Sequence, residues 1–134
     1  MLVVVRRVAG LVALLMALLP ASPTLAQERN LVGTWSMQVY NPAGSGVVFT
    51  TFRQDGGFSQ RWVIPMRESD YSGTYQLSRD GNTLQWVYRD YNPKNIPPMI
   101  QMDTPVSTSI QWVSANIFLT QDAGGTNRWV RQPQ

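Results

Sequence analysis

After residue 27 this chain alternates apolar and polar side chains with a period of two, and no segment repeats apolar residues at helical spacing. That alternation limits the fold more than any other feature. A period of two places one face of each segment in a core and the other in water, as in a half-buried β-strand. Six segments carry it or a continuous apolar run: 31–40, 47–53, 58–64, 71–77, 83–89 and 106–113. Two short strands follow, near 117–120 and 127–132. Eight strands leave edges that must be protected, and closing the sheet on itself removes them. The expected fold is all-β, an eight-stranded antiparallel up-and-down barrel.

The connections alternate in length. Tight turns are predicted at "QDGG" (54–57), "RDGN" (79–82) and "SAN" (114–116), with Gly or Asn available for left-handed backbone. Roomier connections are predicted at 41–46, 65–70, 90–105 and 121–127. In a meander, alternate connections lie at one end, so this pattern predicts a sealed end and an open mouth.

The first 26 residues read as a cleavable signal peptide, with cleavage near Ala26–Gln27. Arg6 and Arg7 precede the 12-residue apolar run 8–19, and small residues follow it at Thr24 and Ala26. A bilayer-spanning helix needs about 20 apolar residues, so no stable membrane anchor is expected after cleavage. Residues 27–134 then form the folded domain, periplasmic or extracellular. Of the 11 basic residues, Arg6 and Arg7 belong to the leader, and the remaining nine face eight acidic ones. A net charge near +1 supplies no basic stripe for a phosphate backbone, so nucleic acid is not an expected partner. Cysteine is absent, so apolar burial must hold the domain together without disulfides. All five Trp, five Tyr and four Phe lie after the leader.

Gly33-Thr34-Trp35 opens the first strand, and "RWVRQ" (128–132) ends the last. An eight-stranded meander with these features resembles the calycin group, in particular the small bacterial lipocalin-like domains. In that group the first-strand Trp sits at the closed end and a basic residue of the last strand packs across it. The resemblance implies that Trp35 and Arg131 meet at the sealed end, Gly33 allowing a neighbouring backbone to come close. This trio would close the barrel. Gly-x-Trp also opens the bacterial metalloprotease inhibitors, which typically carry a disulfide that this chain cannot form.

With neither His nor Cys, the usual nucleophile–base pairs and zinc sites have no residues to build them. An enzyme is not expected, nor a metal or cofactor. Asp55, Asp80 and Asp122 fall in turn sequences, while Glu68, Asp70, Asp90 and Asp103 flank the mouth connections and read as solvated charges. The inward face carries Trp62, Tyr75, Trp86, Tyr88 and Trp112. These rings either line a cavity for a small apolar or amphipathic ligand or fill the barrel completely. Tyr91, Met99 and Met102, in the proline-rich 90–105 connection, are assigned to the same ligand site. That connection reads either as a lid or protein-contact surface, or as a segment folded back over one side of the barrel. The function expected is an exported binding protein for such a ligand. The alternative is a protein-interaction or inhibitor-like module with a filled core, acting through its mouth loops or residues 27–30.

Overall fold

The computed structural model describes residues 29–122 and 125–133. The predicted leader lies outside the described residues, as do Gln27 and Glu28. Eight strands follow in order: β1 (Gly33–Asn41), β2 (Gly44–Phe52), β3 (Gly57–Ile64), β4 (Arg67–Leu77), β5 (Thr83–Asn92), β6 (Val106–Ser114), β7 (Ile117–Asp122) and β8 (Gly125–Arg131). Each pairs antiparallel with the next, and β8 closes on β1. The eight-stranded up-and-down barrel expected from the alternation is therefore the fold.

The loop-length pattern differs from the expectation at one end. Pro42–Ala43 alone separate β1 from β2, Pro65–Met66 alone separate β3 from β4, and residues 123–124 separate β7 from β8. Only 93–105 is a long connection. The segments predicted as roomy loops are strand ends, paired to the last residue at Asn41↔Gly44, Ile64↔Arg67 and Asp122↔Gly125. They project past the core, so they need no apolar face, and their polar composition imitates a loop. The mouth is thus a rim of projecting hairpins with a single long segment beside them.

The interior follows the predicted parity. Trp35, Phe52, Phe58, Leu84 and Phe118 are fully buried and pack the sealed end. Rings there meet edge to face, Trp35 against Phe118 at 4.6 Å and Phe52 against Tyr75 at 4.9 Å between centroids. Bulges interrupt the pattern at Val113 in β6 and, nearer the site, in β5. Ser72 pairs with Asp90 and Gly73 with Tyr88, so Arg89 has no residue opposite it. The extra residue lets Tyr88 and Tyr91, three apart, both pack on the core. Gly73 is required there, because a Cβ would stand 1.8 Å from the Val87 carbonyl oxygen.

The sealed end closes as the resemblance implied. Trp35 and Arg131 are direct partners across the β1–β8 ladder, and the guanidinium lies 4.3 Å from the indole centroid. Arg131 also donates from Nη1 to the Val32 carbonyl (2.7 Å) and from Nη2 to those of Asn30 (2.6 Å) and Ala115 (3.1 Å). The Trp35 Nε1–H donates to the Leu31 carbonyl at 2.8 Å. Gly33, at φ 130°, makes room for the Arg131 side chain, whose Nη1 would lie 2.9 Å from a Cβ. The close neighbour is thus a guanidinium and not the backbone expected.

Arg131→Leu should therefore lower stability by about 2–3 kcal/mol, through the lost cation–π contact and the carbonyls left without a donor. Urea unfolding followed by tryptophan fluorescence measures it; a loss under about 0.5 kcal/mol, typical of a surface change, would show that the clamp is idle.

Candidate functional site

The β-ladder is complete only near the sealed end. Between β1 and β8 pairing stops at Met37↔Trp129, and between β5 and β6 it stops at Trp86↔Val106. Beyond these points the wall opens on two sides. Residues 93–105 cover the β5 side, with the Asp103 N–H donating to the Tyr88 carbonyl (2.8 Å) where a ladder bond would otherwise form. The Met99 N–H donates to the Tyr71 hydroxyl (3.1 Å), and Arg67 Nη2 to the Pro97 carbonyl (2.9 Å). Ile100 and Met102 pack against the core. The long segment therefore folds back over one side of the barrel and also roofs its upper interior.

Under that roof lies a cavity of about 240 Å³. One wall is large and aromatic, formed by Trp62, Trp86 and Tyr88. The opposite wall, from β6, β7 and β8, carries Val106, Thr108, Thr120 and Asn127 beside Trp129, while Met37, Gln60 and Ile100 complete the lining. Space remains because short side chains face rings across the barrel. The cavity is open on one side, and its volume exceeds the roughly 30 Å³ share of one water in the liquid.

Buried polar groups hold the aromatic wall in place. Gln60 is only 3% exposed. Its Oε1 accepts from Trp62 Nε1 (2.6 Å) and from the Tyr88 hydroxyl (2.9 Å), while its Nε2 donates to Thr50 Oγ1 (2.9 Å). Trp129 Nε1 donates to Thr120 Oγ1 at 3.0 Å. No Asp, Glu, Lys or Arg lines the cavity. Burial pushes the Tyr88 phenol well above its ordinary pKa.

Of the sequence-assigned ligand residues, Trp62, Trp86 and Tyr88 come together on the cavity. Tyr91 packs partly on the core and takes Lys94 over its ring at 4.3 Å. Met102 lies under the covering segment and Met99 is half-exposed on it, neither reaching the cavity lining. Tyr75 and Trp112 sit at the opposite end. The Tyr75 hydroxyl donates to the Arg53 carbonyl (2.6 Å) and Trp112 Nε1 to that of Gly81 (2.7 Å), so both seal the floor. Parity had given them the correct face, but height along the barrel separates them from the cavity. Parity could equally have found Gln60, between Phe58 and Trp62, and Met37, two residues beyond Trp35. The mouth carboxylates are on the outer surface, Glu68 paired with Arg61, Asp90 with Lys94 and Asp103 with Arg89.

No family model and no curated protein matches the chain. Among solved structures it is similar to a lipocalin-like protein from Bacteroides uniformis, with a TM-score of 0.54 and 19% identity. The match covers 76% of this chain and 98% of that one. The closed antiparallel barrel and this likeness define a lipocalin-like barrel domain.

Because the folded-state pKa of Tyr88 is raised, its stabilising contribution is complete below the unfolded value of about 10 and declines as pH rises past it. Urea midpoints measured across pH 8 to about 11 should fall more steeply in the parent than in Tyr88→Phe. The limiting slope for one phenol is about 1.4 kcal/mol per pH unit. Equal slopes would show that Tyr88 ionises freely in the folded barrel.

Proposed function

We propose that this chain is an exported binding protein that holds a small apolar or amphipathic molecule in the cavity beneath the 93–105 segment. One observation carries the reading: a cavity of about 240 Å³ kept open against an aromatic wall that Gln60 fixes in place. An interior designed only for stability would pack to the density of an organic crystal. Here Trp62, Trp86 and Tyr88 face Thr108, Thr120 and Asn127 instead of larger side chains. Aromatic walls with a few oriented polar groups are the usual lining of small-molecule sites. A lining without charge favours an uncharged or weakly polar body. Export rests on the leader-like first 26 residues, from Arg6 and Arg7 to Ala26. The pocket between these walls weighs against the alternative of a filled interaction module.

Titration with an uncharged lipophilic dye, followed by tryptophan quenching, tests the proposal. The protein should saturate at one site, and Trp86→Ala should weaken binding at least tenfold, the order expected from losing an aromatic wall. Near-ultraviolet circular dichroism checks that the variant is folded. A folded parent protein that quenches with none of a panel of lipophiles would overturn the proposal.

A further inference from the structure

A groove of about 660 Å³ runs along the β1–β8 seam, on the barrel's outer side. It begins where the ladder stops. Beyond Met37↔Trp129 both strands continue, β1 to Asn41 and β8 back to Gly125, without pairing to each other. The Gln132 N–H bonds the Thr34 carbonyl. By strand alternation the peptide groups of Tyr40 and Thr126 therefore also point into the seam. Outward-facing Gln38, Tyr40, Thr126 and Arg128 line the groove.

Two residues connect this groove to the interior. Val39 and Asn127 have the inward parity of Met37 and Trp129, yet both line the groove, and Asn127 also lines the cavity. At this point the barrel wall is one side chain thick. The two spaces differ in chemistry. The cavity has no charged lining, whereas the groove holds Arg128, whose side chain has no hydrogen bond or ion pair among the described residues. The only other described arginine of that kind, Arg79, stands in the 78–82 turn at the sealed end. Every remaining described cation is committed to a carboxylate or a carbonyl. The cavity alone also falls below the roughly 300–1,000 Å³ typical of small-molecule sites, and the adjoining groove extends it. Above the cavity the covering segment is pinned by Tyr71 and Arg67, whereas no described strand pair closes the seam beyond Met37↔Trp129.

We infer that the ligand lies through the wall: an apolar body in the cavity and an anionic end, a carboxylate or sulfonate, in the β1–β8 seam at Arg128. This rests on the cavity being the binding site. The Arg128 guanidinium supplies a charge-assisted contact to the anion, and the Tyr40 and Thr126 peptide N–H groups face the same space. Val39 and Asn127 form the threshold between the ligand's two halves. The ligand class is an amphipathic monoanion with a compact aromatic or branched body, which reaches the interior sideways and not through the rim.

The test uses two dyes of the same body, anilinonaphthalene sulfonate and its uncharged parent phenylnaphthylamine, titrated into the full folded domain. The sulfonate should bind the parent protein about tenfold more tightly than the uncharged dye, and the preference should shrink with added salt. Arg128→Gln should remove the preference by weakening the sulfonate alone, while Arg79→Gln leaves both affinities unchanged. Equal binding of the two dyes by the parent protein, or a sulfonate preference that survives Arg128→Gln, would overturn the seam site while leaving the cavity reading intact. Binding of neither dye by the folded protein would overturn the cavity reading, and the seam site with it.

Discussion

The barrel closes over three residue pairs. Trp35↔Arg131, Ser36↔Val130 and Met37↔Trp129 are the whole of the β1–β8 ladder, extended only by the bond from Gln132 N–H to the Thr34 carbonyl. A closure this short, in a chain without a disulfide, must be reinforced by side chains. Arg131 does so by stacking on Trp35 while binding carbonyls on both sides of the junction, those of Asn30 and Val32 before β1 and of Ala115 between β6 and β7. The clamp joins the N-terminal approach, a turn of the floor and the last strand in one side chain. Strength is concentrated at the floor, which frees the upper half of the seam from having to hold the sheet together.

The interior divides at the same height. Below Met37 it is a continuous aromatic packing in which Trp35 touches Phe118 and Trp112, and Phe52 touches Phe58, Tyr75 and Trp86. Above it, Trp62, Trp86 and Tyr88 crowd one wall, while the opposite wall carries Trp129 among short side chains. The buried amide of Gln60 matters because of this asymmetry. Tyr71 packs edge to face on both Trp62 and Tyr88 from behind, and on the open side hydrogen bonds to one Gln60 oxygen orient the two rings. Placing Gln60 inside a core costs free energy that a fully bonded amide recovers in part, and the return is a rigid wall beside a void.

Much of the fold was legible in the sequence. Period-two alternation, with one apolar run at 47–53, located six strands, two short ones were placed after them, and parity gave the correct inward face for Trp35, Phe58, Trp86, Tyr88 and Arg131. Strand ends were not legible, and with them the loop lengths at the rim. The β3–β4 turn shows why. Two-residue hairpin turns announce themselves through Asn-Gly or Gly-x, whereas here Pro65 is followed by Met66, which takes the left-handed conformation at φ 63°. Nothing in "PMRESD" signals that Arg67 to Asp70 pair with Ile64 to Arg61. The site was half legible for a related reason. Alternation assigns a face and says nothing about height, so Tyr75 and Trp112 could not be distinguished from Trp62 and Trp86. The bulge at Arg89, which brings Tyr91 onto the face of Tyr88, has no signature in the local sequence.

Charge placement follows from the same geometry. Acidic and basic side chains along β3, β4 and β5 pair with each other on the outer wall, as Arg61 does with Glu68 and Arg89 with Asp103. Exposed pairs of this kind contribute little to stability, yet they leave few free cations to attract an anion to that surface. Arg128 is the exception beside an opening, and its position is set by strand parity: Trp129 must face inward to stack on Phe118, at 5.8 Å between centroids and 15° between planes, so its neighbour must face outward. The stack that anchors β8 to the core thereby holds a free guanidinium at the edge of the seam. A rigid strand carries that charge, so an anion has only the Arg128 side chain to order, at about 0.5–1.5 kcal/mol.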